Sequence, residues 1–414
     1  MERSLLVTVD FGKKEEWTAM ERSLELGELA CSAGARVIDE EVVKRHEPNS
    51  AYFIGKGKAE EIAKLCADKK VDIVIFNNDL TGTQQKNLED VIMAKTVDRT
   101  QLILDIFAKR AHSNEGKVQV ELAQLLYLLP RLTGKGIHLS RLGGGIGTRG
   151  PGEQKLEVDR RKIKARITKL KSELDDLSKR RAMMRKKRER FSLLSIAIIG
   201  YTNVGKSTLL NALTSSKVIV ADKFFSTLDP TVRRFILPNK QKVLFVDTVG
   251  FLNNLPHHLI EAFKATLEEV AEADLLLHLV DISHPKAKEQ AEAVYKVLEE
   301  IGVNDRPIIT ALNKIDKITE RSVIDRTKDY FNDAIAISAL KHDGFDELIK
   351  RILSYISKFM TSVSLTMPAG DSKVLNIIYE NGLVTKREYS GADVHIEAEL
   401  PIKVKDAIYK ILDI

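Results

Sequence analysis

Ser195–Thr208 reads SIAIIGYTNVGKST. The apolar run Leu193–Ile199 has the length and composition of a buried strand, and it breaks at Gly200. Gly200-Tyr201-Thr202-Asn203-Val204-Gly205-Lys206-Ser207 fills every fixed position of G-x-x-x-x-G-K-[ST], and an amphipathic helix is expected over Ser207–Leu213. Strand, glycine loop and helix are the setting in which this pattern holds phosphate. The glycines let the backbone wrap an anion with several N–H groups pointing inward. The start of the helix adds more N–H groups and partial positive charge. Lys206 has the reach for the β- and γ-phosphates, and the Ser207 hydroxyl is a candidate Mg²⁺ ligand. Thr208 closes the phosphate loop.

The chain downstream decides which nucleotide. Phe245-Val246-Asp247-Thr248-Val249-Gly250 is an apolar strand ending in D-x-x-G, where Asp247 would hold Mg²⁺ through water and the Gly250 N–H would sense the γ-phosphate. Thr310–Leu312 closes another apolar run before Asn313-Lys314-Ile315-Asp316, an N-K-x-D pattern. A carboxylate at Asp316 accepts two hydrogen bonds from the N1–H and the exocyclic amine of guanine. Adenine offers neither in that arrangement, so it would leave the carboxylate unpaired. Ser338-Ala339-Leu340 follows the strand expected at Ala334–Ile337 and places a backbone N–H near the guanine O6. Either short motif alone is weak. In this order, each at the end of an apolar strand, they imply a guanine-nucleotide switch.

At 414 residues, 43% hydrophobic and 30% charged, the chain has the makeup of a globular protein with two to four domains. Its apolar runs are too short to span a bilayer: Leu275–Ile282 is already broken by His278 and Asp281. The first residues enter a strand-like alternation without a signal-peptide layout. Cys31 and Cys66 have no metal-ligand spacing and read as reduced thiols of a cytoplasmic protein. Nothing demands more than a monomer. The net charge of +6 is uneven: residues 155–190 hold sixteen Lys/Arg against six Asp/Glu, so this stretch carries +10 and the remainder −4. A basic block in an otherwise acidic chain points to a polyanion contact.

Four segments follow, and the fold class is α/β. Residues 1–111 alternate strand and helix and predict a small parallel α/β domain. Gly55-Lys56-Gly57-Lys58 lies within it; lacking the other phosphate-loop positions, it reads as the turn opening a helix expected at Ala59–Asp68. Residues 112–191 predict a coiled-coil-like helical hairpin with a glycine-rich tip, Gly143–Glu153. Its second arm is helical from Glu153 to about Phe191, with Leu156, Ile163, Ile167, Leu170, Leu174 and Leu177 as an apolar seam. Residues 192–360 predict a doubly wound P-loop nucleotide domain, with a helix at Ala262–Ala271 among its elements. A switch loop is expected between Val218 and Phe235, where Thr227 or Thr231 would supply the second Mg²⁺ ligand; spacing alone does not choose. Residues 361–414 predict a small α+β domain with one strand pair, Leu383–Tyr389 and Asp393–Leu400.

The glycine loop GGGIGTRGPGE before a long basic helix, with GYTNVGKST, FFSTLDPT, DTVGF and NKID after it, closely resembles the HflX family of ribosome-associated, translation-factor-like GTPases. YFIGKGK at Tyr52–Lys58 and LAQLLYLLPRLTG extend the resemblance over essentially the whole chain. It implies hydrolysis of GTP, binding to the large ribosomal subunit and its rRNA near the peptidyl-transferase region, and rescue of stalled or stressed ribosomes by subunit splitting. The family's F-x-T-L-D motif matches Phe225-Ser226-Thr227-Leu228-Asp229, which makes Thr227 the Mg²⁺ ligand. Lys206, Thr227, Asp247 and Gly250 are then the expected catalytic set, with Ser207 and Thr227 on the metal.

Phe251 follows D-x-x-G where many GTPases carry a water-orienting glutamine, so slow intrinsic hydrolysis raised by a partner is expected. Asn203 stands where an asparagine ligates K⁺ in some potassium-activated GTPases. Two other functions compete with ribosome splitting: a GTP-gated RNA-binding or assembly factor, and an ATP-driven RNA remodeller using the N-terminal domain, whose support is Gly55–Lys58.

Overall fold

The computed structural model describes residues 1–12, 17–134, 151–189, 193–214, 231–253, 256–303, 305–331 and 334–412. The glycine-rich residues 143–150 lie outside them.

The first 110 residues run β1 (Arg3–Asp10), α1 (Ala19–Ala33), β2 (Arg36–Lys44), α2 (Lys56–Lys69), β3 (Ile73–Phe76), α3 (Gly82–Ile92), β4 (Lys95–Asp98) and α4 (Arg99–Arg110). The four strands form a parallel sheet in the order β2-β1-β3-β4. Every residue of β3 is buried, as the unbroken apolar run IVIF requires of a strand covered on both faces. Thr18 and Thr81 start α1 and α3 with reciprocal capping boxes to Glu21 and Gln84. α2 begins at Lys56, inside the Gly55–Lys58 stretch, and Gly55 is its N-cap. Lys56 pairs with Glu60, and Lys58 with Glu41 and Glu61, which assigns these lysines to local ion pairs.

Asp98 organises the exit from this sheet. Its carboxylate caps α4 at Gln101 N (2.8 Å), accepts the Tyr127 hydroxyl (2.9 Å) and pairs with Arg131 (2.8 Å), whose guanidinium stacks 3.4 Å above the Tyr127 ring. Burial raises the Asp98 pKa, against the pull of the Gln101 and Leu80 N–H groups and of the Arg131 charge. Tyr127 belongs to α5 (Asn114–Leu128), so the network fastens that helix to the sheet.

α5 packs on α6 (Pro151–Glu189). Val118 and Leu122 of α5 meet Ile167 and Leu170 of α6, flanked by Leu125, Leu126, Ile163 and Leu174. Glu121 and Arg166 close the edge with two hydrogen bonds of 2.6 and 2.7 Å. The three- and four-residue apolar steps thus mark the face that α6 turns to its partner helix.

The nucleotide-domain elements are β5 (Leu194–Gly200), α7 (Lys206–Thr214), β6 (Thr231–Ile236), β7 (Lys242–Asp247), α8 (His257–Glu272), β8 (Leu275–Asp281), α9 (Ala287–Glu300), β9 (Ile308–Asn313), α10 (Arg321–Tyr330), β10 (Ile335–Ala336) and α11 (Phe345–Ile356). The sheet order is β10-β9-β8-β5-β7-β6. All pairings are parallel except β6 against β7, a hairpin across Asn239-Lys240 that turns the edge strand back. Thr231 is the first residue of β6, so it sits in a strand. α8 starts five residues before the helix read from sequence at Ala262.

The C-terminal segment differs from its reading as a strand pair. β11 (Met360–Pro368), α12 (Ser372–Asn381), β12 (Leu383–Ser390), β13 (Asp393–Pro401) and α13 (Ile402–Leu412) build a three-stranded antiparallel sheet, order β11-β13-β12. β11 is the missed strand. Its Val363, Leu365 and Met367 are buried, while Ser362, Ser364 and Thr366 are exposed, a period-two pattern hidden by hydroxyl residues.

Candidate functional site

The site grows from the carboxyl end of β5. Gly200 ends the strand, and α7 starts at Lys206. The loop between them turns on residues with positive φ: Asn203 at 62° and Gly205 at 97°. A Cβ on Gly205 would lie 2.5 Å from the Asn313 side-chain nitrogen, so glycine is needed for packing as well as for conformation.

Lys206 is buried, and its ammonium donates to the carbonyls of Gly200 (3.1 Å) and Tyr201 (2.7 Å). Burial pulls its pKa down to about 8, with the Asp247 charge opposing. The Ser207 hydroxyl donates to Asp247 Oδ2 at 2.7 Å, and both residues are buried. A hydroxyl and a carboxylate meeting at the loop base are hard oxygen donors of the kind Mg²⁺ selects. The Thr248 hydroxyl donates to the Ile198 carbonyl at 2.7 Å, fastening β7 to β5 beside them.

Gly250 is pressed on the phosphate loop: a Cβ there would lie 2.8 Å from Thr202 Cγ2 and 3.1 Å from Lys206 Nζ. Phe251 forms a parallel bridge with Tyr201, donating to the Gly200 carbonyl (3.1 Å) and accepting from Thr202 N–H (2.9 Å). Phe251 is 2% exposed, so it is a packing residue.

The N-K-x-D residues divide their work. The Asn313 side chain donates to the Val204 carbonyl (2.7 Å) and accepts from Ala339 N–H (2.9 Å). Lys314 donates to the Asn203 carbonyl (2.8 Å) and pairs with Asp281 (2.7 Å). Asp316 accepts the Ser338 hydroxyl at 2.6 Å, and Ile315 N–H donates to the Ile337 carbonyl. Asn313 and Lys314 therefore bind the P-loop, while Asp316 is braced from one side and half-exposed. Leu340 is exposed.

The structure thus brings together Gly200 to Thr208, Asp247 to Gly250, Asn313 to Asp316, and Ser338 to Ala339. Phe225, Ser226, Thr227, Leu228 and Asp229 lie outside the described residues. Two neighbours escaped the sequence reading. Asp281, the last residue of β8, anchors Lys314; its position at the end of an apolar strand was the available signal. His278 is fully buried on β8 with Nδ1 3.1 Å from the Tyr295 hydroxyl. Burial, reinforced by the Lys206 charge, drives its pKa down to about 3. Among the described residues no group of three or more His, Cys, Asp or Glu could hold a metal. Cys66 is buried and its thiol is pushed up to about 11, so it is inert.

Four family descriptions match successive parts of the chain: GTP-binding GTPase N-terminal (residues 20–108), GTP-binding GTPase Middle Region (110–188), 50S ribosome-binding GTPase (195–314) and HflX C-terminal domain (322–408). GTPase HflX of Caldanaerobacter subterraneus subsp. tengcongensis is 47% identical over 98% of this chain and 93% of its own length. The chain belongs to the HflX GTPase family. GTPase HflX of Escherichia coli is 38% identical over 97% of this chain and 94% of its own. A crystal structure of SsGBP in complex with GDP is 27% identical with a TM-score of 0.50, covering 86% of this chain and 99% of that one. This HflX-family protein is accordingly a guanine-nucleotide-binding, GTP-hydrolysing enzyme with a ribosome-binding type of GTPase domain. Among the described residues no helix is long and apolar enough to cross a membrane.

Proposed function

We propose that this GTPase docks on the large ribosomal subunit and, with GTP bound, splits stalled or stressed ribosomes into subunits in the cytoplasm, hydrolysis then releasing it. The observation that carries the reading is one chain holding both a P-loop site of the ribosome-binding GTPase type and the basic helix α6. On α6, Arg160, Arg161, Lys162, Lys164, Lys169 and Lys171 are exposed while the apolar seam is buried against α5. Lysines and arginines arrayed along one helix suit the phosphates of rRNA, and such binding weakens with salt. We assign residues 1–111 and 112–191 to rRNA contact, 192–360 to the nucleotide and 361–414 to an accessory role.

In the chemical step a water attacks the γ-phosphate in line. Lys206 and the P-loop N–H groups stabilise the developing charge. Ser207 and Thr227 would hold Mg²⁺, and Asp247 through water; the ion would supply positive charge against the charge that builds on the phosphates. The buried Ser207–Asp247 pair fits that ion. Gly250 N–H senses the γ-phosphate, and Asp316 reads guanine. Asn203 is assigned to K⁺, and equal turnover in KCl and NaCl would remove that assignment.

Intact ribosomes incubated with the protein and a slowly hydrolysed GTP analogue, then resolved on a sucrose gradient, test the reading. Conversion to free subunits with the analogue, and none with GDP, is expected. Intact ribosomes that still carry the protein would instead favour a GTP-gated RNA-binding or assembly factor.

A further inference from the structure

The segment that follows D-x-x-G starts as an added rung on the P-loop. Two backbone hydrogen bonds, Phe251 N–H to Gly200 O (3.1 Å) and Thr202 N–H to Phe251 O (2.9 Å), join it to the loop. A side chain supplies the third hold. The Tyr201 hydroxyl accepts the Asn253 N–H at 2.7 Å. Tyr201 is 2% exposed and Asn253 half-buried, so the acceptor side of this hold is shielded from water. Gly250 lies within the same clamp, its Cα substituent direction blocked by Thr202 and Lys206. The D-x-x-G glycine is thereby fixed at both flanks: by Asp247, bonded to Ser207, and by the run from Phe251 to Asn253, bonded to the P-loop.

We propose that Tyr201 is a positioning residue for GTP recognition: its hydroxyl, by holding the Asn253 N–H, sets the Gly250 N–H where a γ-phosphate would meet it. The proposal rests on the reading of Gly250 as the γ-phosphate sensor. A tyrosine inside the phosphate loop then contributes to telling GTP from GDP through the far end of the switch. GDP, which has no γ-phosphate, gains nothing from a fixed Gly250, so its affinity is indifferent to this hydroxyl.

The test is equilibrium binding of fluorescent GDP and of a fluorescent, non-hydrolysable GTP analogue to the full chain, without ribosomes. Tyr201→Phe keeps the ring and removes the acceptor. It should weaken the analogue about fivefold while GDP stays within about twofold. Asn253→Pro removes the donor and should do the same, and the double variant should lose no more than either single one. Equal losses for both nucleotides, no loss for either, or multiplied losses in the double variant would overturn the proposal. Should Asn253→Pro melt below the assay temperature, Tyr201→Phe alone decides. Gly250→Pro, which removes the N–H, separates the underlying reading: if it spares the analogue, the Gly250 N–H is no sensor and the proposal falls with it. Absence of ribosome stimulation would leave this result untouched.

Discussion

The side-chain amide of Asn313 donates to the Val204 carbonyl at 2.7 Å while its oxygen accepts Ala339 N–H at 2.9 Å. One buried residue thus ties the phosphate loop to the loop proposed to face the base. Asn313→Ala strands a buried carbonyl and a buried N–H, at about 3 kcal/mol. Urea unfolding should show that loss. GDP and GTP should weaken together, because the shared scaffold is what moves. A variant of full stability with normal affinity would contradict this role.

Asp316 acts differently, as it is braced by Ser338 and makes no bond to the P-loop in the described contacts. Asp316→Asn keeps the size but replaces a double acceptor with a mixed donor and acceptor. GTP should weaken by about two orders of magnitude with little change in melting temperature. Xanthosine triphosphate, which carries an oxygen in place of the guanine amine, should gain. ATP turnover that persists in this variant would point to a second nucleotide site.

Phe251 is buried and holds the P-loop through its backbone. Phe251→Gln therefore buries an amide where a ring packed, at a cost of about 3 kcal/mol. Turnover without ribosomes should not rise. Fast turnover by the isolated variant would show that the side chain swings into the site and that water orientation is the missing element.

His278 offers a test by pH. Its folded pKa, down to about 3, lies below the ordinary value of 6.5. The unfolded chain therefore binds a proton near pH 6.5 that the folded chain refuses, and stability falls as pH drops through that value. Between pH 7 and pH 5 the loss is about 2 kcal/mol from this residue alone. Denaturation series at the two pH values, on wild type and on His278→Phe, should show a steeper decline for wild type. Parallel declines would mean that His278 accepts a proton in place.

Much of this was legible because the nucleotide motifs are local: each sits where an apolar strand ends, and strand ends are readable from composition. β3, wholly apolar, and the α6 seam at Ile163, Ile167, Leu170 and Leu174 were legible for the same reason. β11 was not, since serine and threonine on its outer face imitate a loop. Nor were the struts within the site. Asn313 with Val204, Lys314 with Asp281, and Tyr201 with Asn253 join residues between 33 and 109 positions apart, or a side chain to a backbone N–H, and no local pattern encodes such pairings. Phe251 was readable as a missing glutamine, but its burial came only from the P-loop bridge.

The most direct measurement is GTP turnover by the full chain with and without large ribosomal subunits, at low and at moderate salt. The account predicts slow turnover alone, strong stimulation by the subunits, and stimulation that fades as salt screens the α6 lysines and arginines. Turnover that is already fast without ribosomes, or subunits that neither bind nor stimulate, would contradict it.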